Sequence, residues 1–308
     1  MRNSSPIKFT AQIILPLCLL ASSGCGKPPA PIKTTAPVVP ESPTPLPAQA
    51  RAGNSDRNPA TWTAETLHQA IKAKNPGYNG GGQFQIEGGR VMVAVLAGTG
   101  VSDLSPLQGM KLLALDLQGA PVQNISALAD MPLTELYLDG TAVNDLSPLK
   151  GAPLQKLYLN GTRVEDLSPL TGAPIIELNL FGTGVRDLQP LIGMPLQMLW
   201  LNETPVDNIA PLAKAPLVSL TLHRTRVTDL SPLAGTALQR LHIAGTPIAD
   251  LAPLRDLHLT RLIFSPATIT NGVEIVRTMA SLTELGTTLE ARMVPENFWI
   301  LLEKGTIQ

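Results

Sequence analysis

The amino-acid sequence predicts an α/β solenoid: an arc of about nine 21-residue turns sharing a parallel sheet on the concave face, with a short 3₁₀ or extended convex side and small helical caps. Three observations predict it. Strand-like apolar pairs recur at a fixed step, at Leu115/Leu117, Leu136/Leu138, Leu157/Leu159, Leu178/Leu180, Leu199/Leu201, Leu220/Leu222, Leu241/Ile243 and Leu262/Phe264, and Ala94/Leu96 carries the register back to a ninth copy. A threonine follows most of these strands, at Thr99, Thr141, Thr162, Thr183, Thr204, Thr225 and Thr246, with Ala120 and Ala267 in the other two slots. Then comes Asp-Leu-Ser-Pro-Leu or a close variant, its proline at Pro106, Pro148, Pro169, Pro190, Pro211, Pro232 and Pro253, with Ala127 as the exception. A spacing kept through so many copies is the signature of stacked identical units.

Ahead of the repeats, residues 1–24 read as an export signal. Arg2 and Lys8 form a positive start, and Phe9 to Leu20 is an apolar run interrupted by Gln12 and Pro16. That run is too short to span roughly 30 Å of hydrocarbon as a stable helix. Ala21-Ser22-Ser23-Gly24-Cys25-Gly26 resembles the lipobox of bacterial lipoproteins. The resemblance implies lipidation of Cys25 as the mature N-terminus, hence a lipid anchor in the cell envelope; the alternative is ordinary cleavage near Gly24 that leaves a spare thiol. Residues 25–60 then form a tether. Nine of the 29 prolines fall there, with few bulky side chains, and such a segment buries too little apolar area to offset its ordering entropy.

Residues 61–90 read as an N-terminal cap. Leu67, Ala70, Ile71 and Ala73 have helical spacing over Ala64 to Lys74; Thr63 caps the helix and Asn75-Pro76-Gly77 ends it. Phe84 to Ile86 and Val91 to Val95, joined through Glu87-Gly88-Gly89-Arg90, read as a hairpin into the first repeat. Residues 91–267 are the repeats. In Leu133 to Leu138, alternation points Leu136 and Leu138 inward and Glu135 and Tyr137 outward. A lone strand cannot bury its leucines, so copies stack and share one core. Each Thr hydroxyl is positioned to bond the backbone of the bend, and Ser147 is expected to cap a turn with Pro148 at its first position. About ten residues then remain before the next strand, broken by a proline such as Pro153, which leaves no room for a long helix. Residues 268–308 read as a C-terminal helical cap, with one short helix over Asn271 to Met279 and another from Pro295.

This period, and the pattern LxxLxLxxT, resembles the leucine-rich repeat in the short bacterial form found in internalins. The flanking segments resemble those of planctomycete-type bacterial proteins, in which such repeats sometimes accompany serine/threonine kinases. The chain carries no HRD, DFG or VAIK-like lysine, no GxxxxGK[ST] and no GxSxG, so it is read as a non-enzyme. Gly80-Gly81-Gly82 reads as a plain turn. With 23 Lys+Arg against 24 Asp+Glu, a basic face for nucleic acid is not expected. Two cysteines and no CxxC give neither a disulfide framework nor a zinc site, and no cofactor or metal is expected.

The outward slots of the strands are where binding is expected. One slot reads Val95, Asp116, Tyr137, Tyr158, Asn179, Trp200, Thr221, His242, Ile263, and the slot two residues later includes Gln118, Asp139, Asn160, Phe181, Asn202 and His223. Of eleven Phe, Trp and Tyr residues, four fall here in consecutive repeats, on a face expected to be open to solvent. Tyr137, Tyr158, Phe181 and Trp200, with Asp139, Asn160, Asn202, His223 and His242, are therefore the candidate contacts for a protein or peptide partner. The competing reading is cross-strand stacking that only stiffens a passive spacer protein; a third is a regulatory module for a separate enzyme. His223 and His242 fall in adjacent repeats but lack a third metal ligand. The expectation is an exported, envelope-anchored monomer.

Overall fold

The computed structural model describes residues 61–307; the export signal, Cys25 and the tether fall outside the described residues. Twelve strands form one sheet in sequence order: β1 (Gln83–Glu87), β2 (Arg90–Val95), β3 (Ala114–Asp116), β4 (Glu135–Tyr137), β5 (Lys156–Tyr158), β6 (Glu177–Asn179), β7 (Met198–Trp200), β8 (Ser219–Thr221), β9 (Arg240–His242), β10 (Arg261–Ile263), β11 (Glu284–Gly286) and β12 (Arg292–Met293). From β2 to β11 every pairing is parallel, and the leucines align as one ladder, Leu136 opposite Leu157 opposite Leu178. At each end an antiparallel partner, β1 or β12, finishes the sheet.

One turn shows why the stack holds. Leu133, Leu136, Leu138, Val143, Leu146 and Leu149 are all buried against the same positions of the turns on either side. Full burial of each such side chain stabilises by about 1.5–3 kcal/mol, so the core is the main source of cohesion. Seven threonine hydroxyls, from Thr99 to Thr246, donate to the carbonyl three residues back at 2.6–2.8 Å, pinning the bend after each strand.

The convex turns are three-residue 3₁₀ segments such as Ser147–Leu149, as the short connections require. Their cap differs from expectation. Ser147 makes no cap bond; instead Asp145 Oδ1 accepts from the Ser147 backbone N–H at 2.8 Å. The same Asx bond recurs in eight turns, including those where Gln189, Ala210 or Ala252 replaces the serine. The Asp, or in two turns Asn124 and Asn208, is the general cap because its side-chain oxygen reaches a backbone donor two residues on, whatever follows.

Helix α1 (Ala64–Lys74) starts with a Thr63–Thr66 capping box and buries Leu67 and Ile71 on the first repeat. Its terminal Asn75 is buried and tied in four ways: Nδ2 donates to the carbonyls of Ile71 and Asp103, and Oδ1 accepts from the N–H groups of Ser102 and Asp103. At the other end lie α2 (Val273–Arg277) and α3 (Pro295–Glu303), with the Phe298 ring 5.5 Å from Phe264. The C-terminal segment is more than helical, because β11 adds a tenth parallel turn, offset 23 residues from β10, and β12 folds back on it.

Candidate functional site

The outward residues of β3 to β10 share one face because side chains alternate along each short strand. The parallel register then lines up like positions: Asp116, Tyr137, Tyr158, Asn179, Trp200, Thr221 and His242 form one row across the sheet. Tyr137 and Tyr158 lie 5.1 Å apart, and Trp200 reaches back over Asn179 to within 6.0 Å of Tyr158. The tyrosine hydroxyls are held from the side: Tyr137 donates to Glu135 Oε2 and Tyr158 to Glu177 Oε2, each at 2.9 Å. Lys156 lies 3.5 Å from Glu135.

The strip is less open than the alternation suggested. Tyr137 is 1% exposed, His242 6% and Asn202 8%, although all three project to the outward face. Rings and long side chains on adjacent strands, only about 4.8 Å apart, shield one another. Tyr158, Phe181 and Trp200 remain partly exposed, as do Asp139, Asn160 and His223. Several polar candidates also hold the backbone: Asp139 Oδ1 accepts from Asn160 N–H at 2.7 Å and Asn202 Oδ1 from His223 N–H at 3.1 Å.

Burial sets the electrostatics. Desolvation lifts the Asp139 carboxyl to about 6, against the Asn160 N–H that favours the anion, with nearby Asp116 adding to the rise. Asp116 is raised for the same first reason. Tyr137 is raised too, by burial and then by its bond to Glu135. His242 falls to about 4, through desolvation and then the neighbouring His223, and so is neutral at pH 7. The two imidazoles stack at 4.9 Å, and His223 Nδ1 donates to the Ala244 carbonyl at 2.8 Å. Thr221 Oγ1 and both His242 ring nitrogens are buried without a hydrogen-bond partner. Among the described residues no group of three or more His, Cys, Asp or Glu side chains could hold a metal ion.

The backbone marks the same neighbourhood. After each of β2 to β9 the chain passes through a left-handed residue, and Gly119, Gly140, Gly161, Gly182 and Gly245 fill that slot at φ of +65° to +71°. In two consecutive turns it is instead Glu203 (φ 57°) and Arg224 (φ 55°), joined by an ion pair at 3.1 Å. Non-glycine residues are strained there, and both follow directly on outward-facing Asn202 and His223. The signal was present in the sequence as Glu-Thr and Arg-Thr where five other repeats have Gly-Thr.

Solved structures with the same arrangement include an internalin (inlF) from Listeria monocytogenes, 26% identical, with TM-score 0.54, covering 71% of this chain and 73% of that chain. An internalin C2 (inlC2) from the same organism is 24% identical, with TM-score 0.55, covering 64% of this chain and 92% of that one. The fold is a leucine-rich-repeat solenoid. No protein-family model matches the chain, and no curated protein matches it in sequence. Leucine-rich-repeat folds commonly serve protein–protein interaction, and no helix among the described residues is long and apolar enough to cross a membrane.

Proposed function

We propose that this chain is an exported binding module, anchored in the cell envelope through lipidated Cys25 and holding a protein or peptide partner on the concave face of its repeats, without catalysis. The observation that carries the reading is the partial exposure of the rings of Tyr158, Phe181 and Trp200. These rings stay partly exposed on a face where the leucine ladder has already closed the core, so packing alone does not require them. Amphipathic rings in that setting are the usual anchors of an interface. The strained Glu203 and Arg224 beside the same face support it, since strain concentrates at sites retained for something other than stability. The proline-rich tether suits the anchor by lifting the domain off the bilayer.

The test is affinity capture from an envelope extract of the source organism, with the full chain as bait and a Tyr137→Ala, Tyr158→Ala, Trp200→Ala variant as control. A protein held by the wild type and lost by the folded variant is the expected result. A partner held equally by both would place binding away from the ring row, and an empty list from both would favour a spacer protein that the row only stiffens. Cys25→Ser is expected to release the chain from membranes, and unchanged fractionation would contradict the anchor.

A further inference from the structure

The concave face is divided in charge, and the division selects a ligand. On the outward slots of β3 to β7 and the residues just after them stand four carboxylates, Asp116, Glu135, Asp139 and Glu177, against a single cation, Lys156. Lys156 pairs with Glu135. Asp116, Asp139 and Glu177 form no ion pair among the described residues, and Asp116 is buried. Asp116 and Asp139 are held partly away from water with no cation paired to them, which raises the energy of the free protein, and an incoming cation lowers it.

The rings point to the same chemistry. Tyr158 donates a hydrogen bond to Glu177, which enriches its π-system, and the Trp200 ring lies 6.0 Å from it, so two partly exposed rings stand beside that carboxylate. A cation over aromatic faces and next to a carboxylate is attracted by both.

Resting on the concave-face reading above, we infer that the occupant is an extended basic peptide segment, its Lys or Arg side chain over Tyr158 and Trp200 against Glu177, in the field of Asp116 and Asp139. The segment is read by its charge. An acidic segment is disfavoured by the three unpaired carboxylates.

The test is an NMR titration of the full chain with an acetylated and amidated Gly-Lys repeat peptide, alongside glutamate and serine versions. The lysine peptide is expected to shift the Trp200 indole and the Asp139 carboxyl saturably, and Glu177→Gln to weaken it by about threefold to tenfold. Glutamate or serine peptides that move Trp200 as much would overturn the inference. So would a lysine peptide whose shifts map to the convex Asp145, Asp166 and Asp187, or one indifferent to Glu177→Gln. If the lysine peptide fails while the triple alanine variant still loses the captured envelope partner, the basic segment is refuted and concave-face binding stands.

Discussion

The two halves of the concave face rest on the same core and look nothing alike. From β3 to β7 the outward row carries Asp116, Tyr137, Tyr158 and Trp200, bordered by carboxylates, and the bends beneath it use glycine down to Gly182. From β8 to β10 it carries Thr221, His242 and the buried Ile263, bordered by Arg240 and Arg261, after bends that hold Glu203 and Arg224 in left-handed geometry. Beneath both, the leucine ladder does not change. Inward positions are dictated by contact with identical neighbours, whereas outward positions answer to no such constraint. The difference between the halves is therefore where this chain is individual.

The largest effect expected from that contrast is between core and face. Leu157→Ala should cost about 3 kcal/mol, because the rigid neighbouring turns cannot collapse into the cavity. Trp200→Ala, two strands away and facing outward, should cost about 1 kcal/mol. Denaturant unfolding measures both, and equal losses would erase the distinction between scaffold and surface.

A smaller effect separates the halves by pH. Asp139 titrates at about 6 in the fold against an ordinary 3.8, so the stability that its protonation lends is complete below about pH 4 and lost by pH 6. His242, lowered to about 4 from 6.5, acts in reverse: its contribution is present above pH 6.5 and lost as pH falls toward 4. The two groups offset each other across one window. Asp139→Asn keeps the bond to Asn160 N–H and removes one side of the balance. The variant should be about 1 kcal/mol more stable than wild type at pH 7, equal to it below pH 4, and newly sensitive to acid between. Unfolding curves at a series of pH values show whether the window is shared.

The bend residues give the smallest effect. Glu203→Gly relieves the left-handed strain and removes an exposed ion pair, for a net gain of about 0.5–1 kcal/mol. A loss of stability on this change would mean that the slot tolerates Glu203 without strain.

The architecture was legible in the chain because the period repeats the same physical demand. Each Leu-x-Leu pair had to face inward, each threonine had to meet a carbonyl, and α1 with its Thr63 cap followed local rules alone. The tenth parallel strand escaped because Glu284-Leu285-Gly286 has one leucine instead of a pair and follows a 23-residue step. The Asx caps escaped because Asp and Ser stand two apart in the same motif, and only the turns with Gln189, Ala210 or Ala252 separate their roles. On the candidate face, alternation placed every side chain on the correct side. It did not foresee that Tyr137 and His242 would be covered, because shielding between side chains on adjacent strands depends on their lengths and rotamers. The strain at Glu203 and Arg224 was written as a lapse in the Gly-Thr pattern, and it gained meaning only with the backbone angles.

The central claim is that the outward strand residues form the binding surface on a scaffold that the core holds fixed. Amide hydrogen exchange of the full chain, with and without the partner captured from the envelope, tests it most directly. The account predicts new protection along Tyr158, Asn179, Phe181, Trp200 and Thr221, with the convex 3₁₀ turns unchanged. Protection confined to the convex Asp-Leu-Ser-Pro-Leu turns, with the strands unaffected, would contradict it.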